Sequence, residues 1–388
     1  MSAAIEDNLD QFIKTIGTFQ SMKGSLDTNF YNGLKQIVND AMNQVSDHTG
    51  KCLLHNLREH QPDEDTLQKI IDNVPSCLSY EDKDGYLPII SAVRSNESIH
   101  YVPLLAKEGV KHNVGGDDAR GGLLLGGGHN VLEDLAFHGS HIDDDPLYLD
   151  VMKKLRECKL LLREDIQDHD LLYNACSPDT PMRFEFLAGW CPEGLKTHRI
   201  GVLPLIHARI QYWSSIKSFS MFFKTALRYH PNDLGLLFQM DREGQTACER
   251  AFKKYGNDKT MSAIGELIPF DDPKLPILHH VAEHVPQYMK DFACRYLSAP
   301  YLRDSQGRTL HQAALASGNK TFIDDPMFFL EMSDEQVREI DPGSDLYPFM
   351  VAASGQTCDL SAVYALMKRN PSLAHRNMPK RRRKRKRK

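Results

Sequence analysis

The sequence predicts an all-α protein that is built as a helical solenoid, and two observations favour this class. Turn signals of Asp and Gly recur along the chain, and each is followed by a short segment that begins at Thr or Pro and contains Ala. More apolar segments with helical spacing come next, such as residues 66–71 and 218–227. Because one such helix pair cannot bury its apolar face alone, we expect successive pairs to stack.

The clearest turn and helix start lie near residue 304. This segment reads Asp304-Ser-Gln-Gly307-Arg-Thr309-Leu310-His311-Gln-Ala-Ala314. Gly provides the positive φ of a tight turn, Thr caps the next helix, and other copies have Pro in the first helical turn, where an N–H is not needed. The predicted repeat turns contain Gly50, Gly85, Gly201, Gly244 and Gly307.

This order of turn Gly, Thr, Leu-His and Ala-Ala resembles the ankyrin repeat. Aligned where that pattern has Pro, about nine degenerate copies fall at residues 53, 88, 131, 171, 204, 247, 277, 310 and 348, spaced by 30 to 43 residues. Ankyrin units are about 33 residues long, so the longer steps indicate inserted loops. The resemblance implies an ankyrin-type solenoid that binds proteins without catalysis. It also implies that His55, His279 and His311 hydrogen-bond to the neighbouring loop.

The predicted organisation has three parts. Residues 1–47 contain two amphipathic segments without the repeat pattern, and we interpret them as an N-terminal helical cap. Residues 48–375 form the repeat domain, which carries a Gly-rich insertion at 113–130 with seven glycines between residues 115 and 128. We expect this insertion to be mobile. Residues 376–388 form a disordered basic tail.

The tail concentrates the positive charge of the chain. Its last nine residues are Lys380, Arg381, Arg382, Arg383, Lys384, Arg385, Lys386, Arg387 and Lys388. The chain has 47 basic and 52 acidic residues, so that without this run the net charge changes from −5 to −14. Such a run resembles a nuclear localisation signal that an import receptor binds. The alternatives are sequence-independent binding of nucleic acid and a tail that only aids solubility.

Several other classes are disfavoured. The chain lacks an apolar run of about 18 residues, which a membrane helix needs, and begins with an acidic segment, so we expect a soluble intracellular protein with no membrane partner. The eight cysteines lie at least 15 positions apart, which excludes local zinc-knuckle and CxxC spacing and predicts buried thiols. The glycine cluster lacks the Lys-Ser/Thr of a P-loop.

Histidines and aromatic residues are the remaining candidates for a site. Helical spacing places His280 and His284 on one face, but a third ligand is not apparent and HExxH is absent, so we predict no metal. The run that includes Phe219, Phe222 and Phe223 has core spacing. We therefore expect a nuclear, non-catalytic protein-interaction scaffold without a cofactor. The alternatives are an adaptor that binds nucleic acid through its tail and, third, an enzyme with an unrecognised site.

Overall fold

The architecture is all-α. The computed structural model describes residues 52–114, 123–125, 130–139, 141–196, 203–207, 215–268, 277–289, 291–292, 303–317, 333–354 and 360–375. Within these ranges, extended pairing is limited to one bridge between Met240 and Thr246. The predicted fold class is thus confirmed at this level, whereas the predicted cap and the basic tail lie outside the described residues.

The α-helices of the described ranges are mostly short. They are α1 (Leu57–His60), α2 (Glu64–Asn73), α3 (Pro88–Val93), α4 (Val102–Lys111), α5 (Val131–Phe137), α6 (Asp145–Glu157), α7 (Asp165–Asp168), α8 (Leu171–Asn174), α9 (Pro181–Trp190), α10 (Pro204–His207), α11 (Ile216–Tyr229), α12 (Ala247–Tyr255), α13 (Asn257–Leu267), α14 (Ile277–His284), α15 (Leu310–Ala316), α16 (Asp334–Arg338), α17 (Pro348–Ser354) and α18 (Leu360–Arg369). In none of the ranges described does a helix have the length and apolar character that a bilayer crossing requires.

Every predicted repeat start coincides with the first residue of a helix. The first is the 3-10 helix Leu53–Asn56, and the others are α3, α5, α8, α10, α12, α14, α15 and α17. The N-caps follow from the sequence: Thr246 and Thr309 each accept the amide of the residue three positions on, in a capping box. Pro opens α3, α10 and α17. The more apolar second helices also form, as α2, α4, α11 and α18.

The chain divides into two units, residues 1–200 and 201–388. In the first unit, the helices that begin successive predicted repeats, called first helices below, pack on one another. The 3-10 helix Leu53–Asn56 contacts α3, α3 contacts α5, and α5 contacts α8. The second helices form a parallel row in which α2 contacts α4, α4 contacts α6, and α6 contacts α9. Two layers of stacked helices result, and their shared face holds the core.

The second unit has the same two-layer order. Helix α10 contacts α12 while α11 contacts α13, and further along α14 contacts α15, which contacts α17. Aromatic rings join these two groups, since Phe252 of α12 stacks on Tyr288 with ring centroids 4.1 Å apart. Phe238 and Phe292 complete the cluster. The predicted core position of Phe219, Phe222 and Phe223 is confirmed, because all three are fully buried in α11.

Second helices end in a recurring way that sequence analysis did not identify. Proline begins a 3-10 helix directly after α2, α9, α11 and α18, at Pro75, Pro192, Pro231 and Pro371. A buried leucine follows two or three residues later in each case, namely Leu78, Leu195, Leu234 and Leu373. Proline has no N–H to continue the helix, and the leucine returns the chain to the core. This ending is a second repeated signature.

A buried ion pair joins three helices of the first unit. Arg183 of α9 donates through Nε to Asp145 Oδ1 at 2.6 Å, and both side chains are 0% exposed. The guanidinium also donates to the carbonyls of Leu135 and His138 and lies over the ring of Tyr148. These contacts offset part of the desolvation cost of the two charges and connect α5, α6 and α9, while Arg183 Nη2 stays buried without a hydrogen-bond partner among the described residues.

Part of the Gly-rich insertion packs against helix α4. Leu123 and Leu124 are fully buried, and the Val131 amide donates to the Leu124 carbonyl at 2.9 Å. A Cβ added at Gly109 of α4 would lie 2.0 Å from Leu123 Cδ1. Within the predicted insertion, residues 123–125 thus bury two adjacent leucines against the helices, which stabilises their position.

Candidate interaction surface

Three turns in the two units share one hydrogen-bond pattern. Asp82, Asp241 and Asp304 each accept two backbone amides on Oδ1, from the residues two and four positions further on, at 2.9 to 3.0 Å. The backbone closes around the same carboxylate: the Asp N–H donates to the carbonyl four residues on, and the Gly N–H donates to the Asp carbonyl. One Asp thus organises a complete Asp-x-x-Gly-x turn.

The glycines of these turns are required by backbone conformation. Gly85, Gly244 and Gly307 have φ of 76°, 72° and 80°, in the left-handed region. A Cβ would meet nothing within 4 Å at Gly85 and Gly244, so the space is available and only the conformation opposes a side chain. All three glycines lie in turns that precede a helix. Gly50 and Gly201 lie outside the described residues.

A fourth turn, which the glycine pattern did not reveal, precedes α17. Here Asp341 accepts the backbone amide and the hydroxyl of Ser344 on Oδ2, and Asp345 takes the left-handed conformation with φ of 59°. The turn is one residue longer, because the Asp341 amide donates to the Leu346 carbonyl. Aspartate is one of the few residues other than Gly that tolerate this region.

The tips of the four turns are exposed. Each tip presents side chains to solvent: Lys83 and Asp84, Arg242 and Glu243, Ser305 and Gln306, and Ser344 and Asp345. The last two turns lie side by side, since Gln306 Oε1 is 3.4 Å from the position that a Cβ of Gly343 would occupy. The unit therefore displays neighbouring tips of different polarity along one edge, which suits recognition of an extended polar surface.

Histidines connect two of the predicted repeat-start helices to the turn that follows. His55 Nε2 donates to the Tyr86 carbonyl at 2.8 Å, and His279 Nε2 donates to the Arg308 carbonyl at 3.1 Å. Both carbonyls also close the backbone of the next turn. The predicted structural role is confirmed for His55 and His279. His311 is buried at the equivalent position.

The second ring nitrogen distinguishes the two histidines. His55 Nδ1 accepts the Cys52 amide at 3.2 Å, which defines a neutral ring protonated on Nε2. Pro276 stands three residues before His279 and has no amide hydrogen to offer. His279 Nδ1 is buried without a hydrogen-bond partner among the described residues. Burial lowers the pKa of His279, so this ring is also neutral near pH 7.

In the second unit, arginines form ion pairs with the aspartates of two turns. Arg308 donates through Nε to Asp304 Oδ2 at 2.6 Å and through Nη2 to Glu283 of α14. Arg250 pairs with Asp241 at 2.9 Å and with Glu243 at 3.1 Å. Burial raises the pKa of Asp304, but the hydrogen bonds and the positive charge of Arg308 outweigh this effect and hold that pKa below its usual value. These turns are thus fixed by charge as well as by the backbone.

Helix α14 carries a cluster of possible metal ligands on a half-buried face. Ligand atoms of His280, Glu283 and His284 all lie within 4.8 Å of one another. The His280 ring stacks on Phe238, with centroids 6.1 Å apart and planes 10° apart. Sequence analysis paired the two histidines but missed Glu283, because it searched for HExxH. The spacing i, i+3 and i+4 on a helix was the available signal.

Two buried thiols and a shallow cavity lie among the described residues. Cys176 and Cys248 are buried, and burial raises the pKa of both thiols well above the usual value, which agrees with the predicted inert thiols. A shallow cavity of about 320 Å³ is lined by Arg163, Glu164, Gln167, Cys191 and Glu193. Arg163 and Glu193 pair at 2.8 Å, and these five lining residues offer Cys191 no histidine as a base.

Comparison with known proteins adds no assignment: no family model matches the chain, and no curated protein is similar to it. The predicted localisation-like residues, Lys380 to Lys388, lie outside the described ranges.

Proposed function

We propose that the chain is an ankyrin-type solenoid that acts as a non-catalytic scaffold and binds a partner protein through its exposed turn tips. The recurrence of one Asp-x-x-Gly turn in both units, with its carbonyl bound by a histidine of the preceding helix, carries this proposal. At these two turns, the preceding helix helps to fix the position of the tip. Tips held this firmly lose little freedom on binding, which favours affinity.

Charge variants of the tips test the proposal. Lys83→Glu combined with Arg242→Glu reverses two exposed cations at tips of the two units. Lys153→Glu combined with Lys259→Glu makes the same change of charge on the second helices α6 and α13, where both lysines are exposed. Proteins captured from nuclear extract and cross-linked to the chain are identified by mass spectrometry. A partner cross-linked to the tips should be retained by the helix variant and lost by the tip variant. Equal capture by both variants would refute recognition through the tips.

The basic tail is proposed to direct the scaffold to the nucleus. The run of nine consecutive Lys and Arg residues supports this proposal, because import receptors bind such runs. Fusing residues 380–388 to a fluorescent carrier too large for passive entry should move the carrier into the nucleus. Replacing Lys380, Arg381, Arg382 and Arg383 by Ala should weaken this import. A carrier that stays cytoplasmic would count against the signal.

The same charge run supports a second candidate, an adaptor whose tail binds nucleic acid. Backbone binding by Lys and Arg releases counterions, so affinity should fall steeply with salt and should be independent of base sequence. The four-Ala variant keeps five basic residues and should retain part of this affinity. Salt-dependent binding of the full chain to duplexes of unrelated sequence, lost on deletion of 380–388, would favour the adaptor.

A further inference from the structure

We propose that His280, Glu283 and His284 form a binding site for a divalent transition metal of the imidazole-preferring class, with Zn²⁺ as its simplest occupant. The site goes beyond the proposed scaffold function and does not depend on it. All three side chains belong to α14, a helix of eight residues. Two imidazoles and one carboxylate are a donor set that Zn²⁺ accepts as three protein ligands, with a fourth position left open.

The geometry is close to that of a metal site. The three ligand atoms lie within 4.8 Å of one another. Ligands at about 2.0 to 2.2 Å from a tetrahedral metal are about 3.3 to 3.6 Å apart, so the three ligand atoms would approach one another when an ion binds. Helical spacing already places the three side chains on one face.

Surrounding groups orient the ligands. The His280 ring is fixed by its stacking on the buried Phe238 ring. Glu283 Oε1 accepts from Arg308 Nη2, and Arg308 is itself held by Asp304. This bond holds one oxygen of the Glu283 carboxylate, and the other oxygen would bind the ion. Metal ligands typically depend on such outer partners, whose loss lowers affinity by about 10 to 100-fold.

The site can be reached from solvent. His280, Glu283 and His284 are all half-buried, so an ion has access from solvent. The open coordination position would take water or a donor from a bound protein.

A second constellation provides the matched control. Ligand atoms of Asp72, Glu108 and His112 are equally close, but Lys111 Nζ already bonds to Asp72 at 2.6 Å and to Glu108 at 2.9 Å. A cation there would have to displace an ammonium group that is bonded to two of the three ligands, whereas in the α14 cluster Arg308 bonds to Glu283 alone. We therefore expect His112→Gln to leave metal binding unchanged.

The experiment titrates the chelator-treated full chain with Zn²⁺ and measures binding by calorimetry. Circular dichroism checks that each variant is folded. The wild-type chain and His112→Gln should bind one equivalent with the same affinity. His280→Gln, Glu283→Gln and His284→Gln should each weaken this binding by roughly tenfold or more. Co²⁺ substitution provides a second readout, since a site of nitrogen and oxygen ligands gives visible bands without thiolate-to-cobalt charge transfer. Unchanged binding in all three variants, loss in His112→Gln, or a thiolate band on Co²⁺ would overturn the proposal.

Discussion

Removing the Asp304 carboxylate should loosen one turn by an amount that the structure allows us to estimate. Oδ1 accepts the amides of Gln306 and Arg308, both at 2.9 Å, and Oδ2 accepts Arg308 Nε at 2.6 Å. Asp304→Ala deletes all three bonds. The turn is half-exposed and water can replace part of each bond, so about 1 kcal/mol per bond is appropriate. We expect a loss of about 3 kcal/mol in the free energy of unfolding.

Asp304→Asn separates the roles of the two oxygens. The amide oxygen can still accept both backbone N–H groups, while the charge that pairs with Arg308 is lost. The expected loss is about 1 kcal/mol. Ser305→Ala, at the exposed tip of the same turn, should change stability by less than about 0.5 kcal/mol.

Two measurements check this ordering. Urea unfolding monitored by circular dichroism gives the loss for each variant, and hydrogen exchange at the amides of Gln306 and Arg308 reports the turn directly. Both amides should exchange faster in Asp304→Ala than in Asp304→Asn. If Asp304→Ala and Ser305→Ala unfold at the same urea concentration, the carboxylate does not organise the turn and our reasoning is wrong.

Four further predictions concern other contacts. Arg183→Met should destabilise the first unit by about 3 to 5 kcal/mol because Asp145 stays buried without its cation, and an urea midpoint equal to wild type would contradict this. Ala314→Leu should cost about 1 to 3 kcal/mol by overpacking α15, as measured by thermal unfolding. His55→Ala should cost about 1 to 3 kcal/mol and speed exchange at the turn that contains Tyr86. Burial raises the pKa of Asp134, but His138 and Arg94 lower it by more, so that the pKa of this carboxyl lies below its usual value. Stability should therefore fall as acidification protonates Asp134. Asp134→Asn should flatten the dependence of the urea midpoint on pH.

The helix starts could be predicted because their determinants are local. Thr246 and Thr309 cap through a side chain that bonds three residues on, and the prolines fit the first helical turn, so each signal lies within a few residues of its effect. Gly85, Gly244 and Gly307 could be predicted for the same reason. The histidine bonds followed only from the family resemblance.

Contacts between distant segments could not be predicted. Asp145 and Arg183 are 38 positions apart, and nothing in either local sequence indicates that they meet. The turn at Asp341 was missed because Asp345 replaces the expected Gly. Glu283 was missed because the search assumed one order of metal ligands, whereas a helix brings together any residues three and four positions apart.

The Gly-rich insertion at residues 113–130 shows where this chain can change length. Helices α3 and α5 pack directly, although the 113–130 segment separates α4 from α5 along the chain. Doubling a flexible loop adds only about 0.6 kcal/mol of closure cost, so residues between the anchors can be lengthened or exchanged at small thermodynamic cost. Leu123 and Leu124 must stay, because they hold the segment against α4. A foreign peptide grafted on either side of these two leucines would therefore be displayed from a stack that folds as before, and evolution could acquire a new binding loop there by a single insertion.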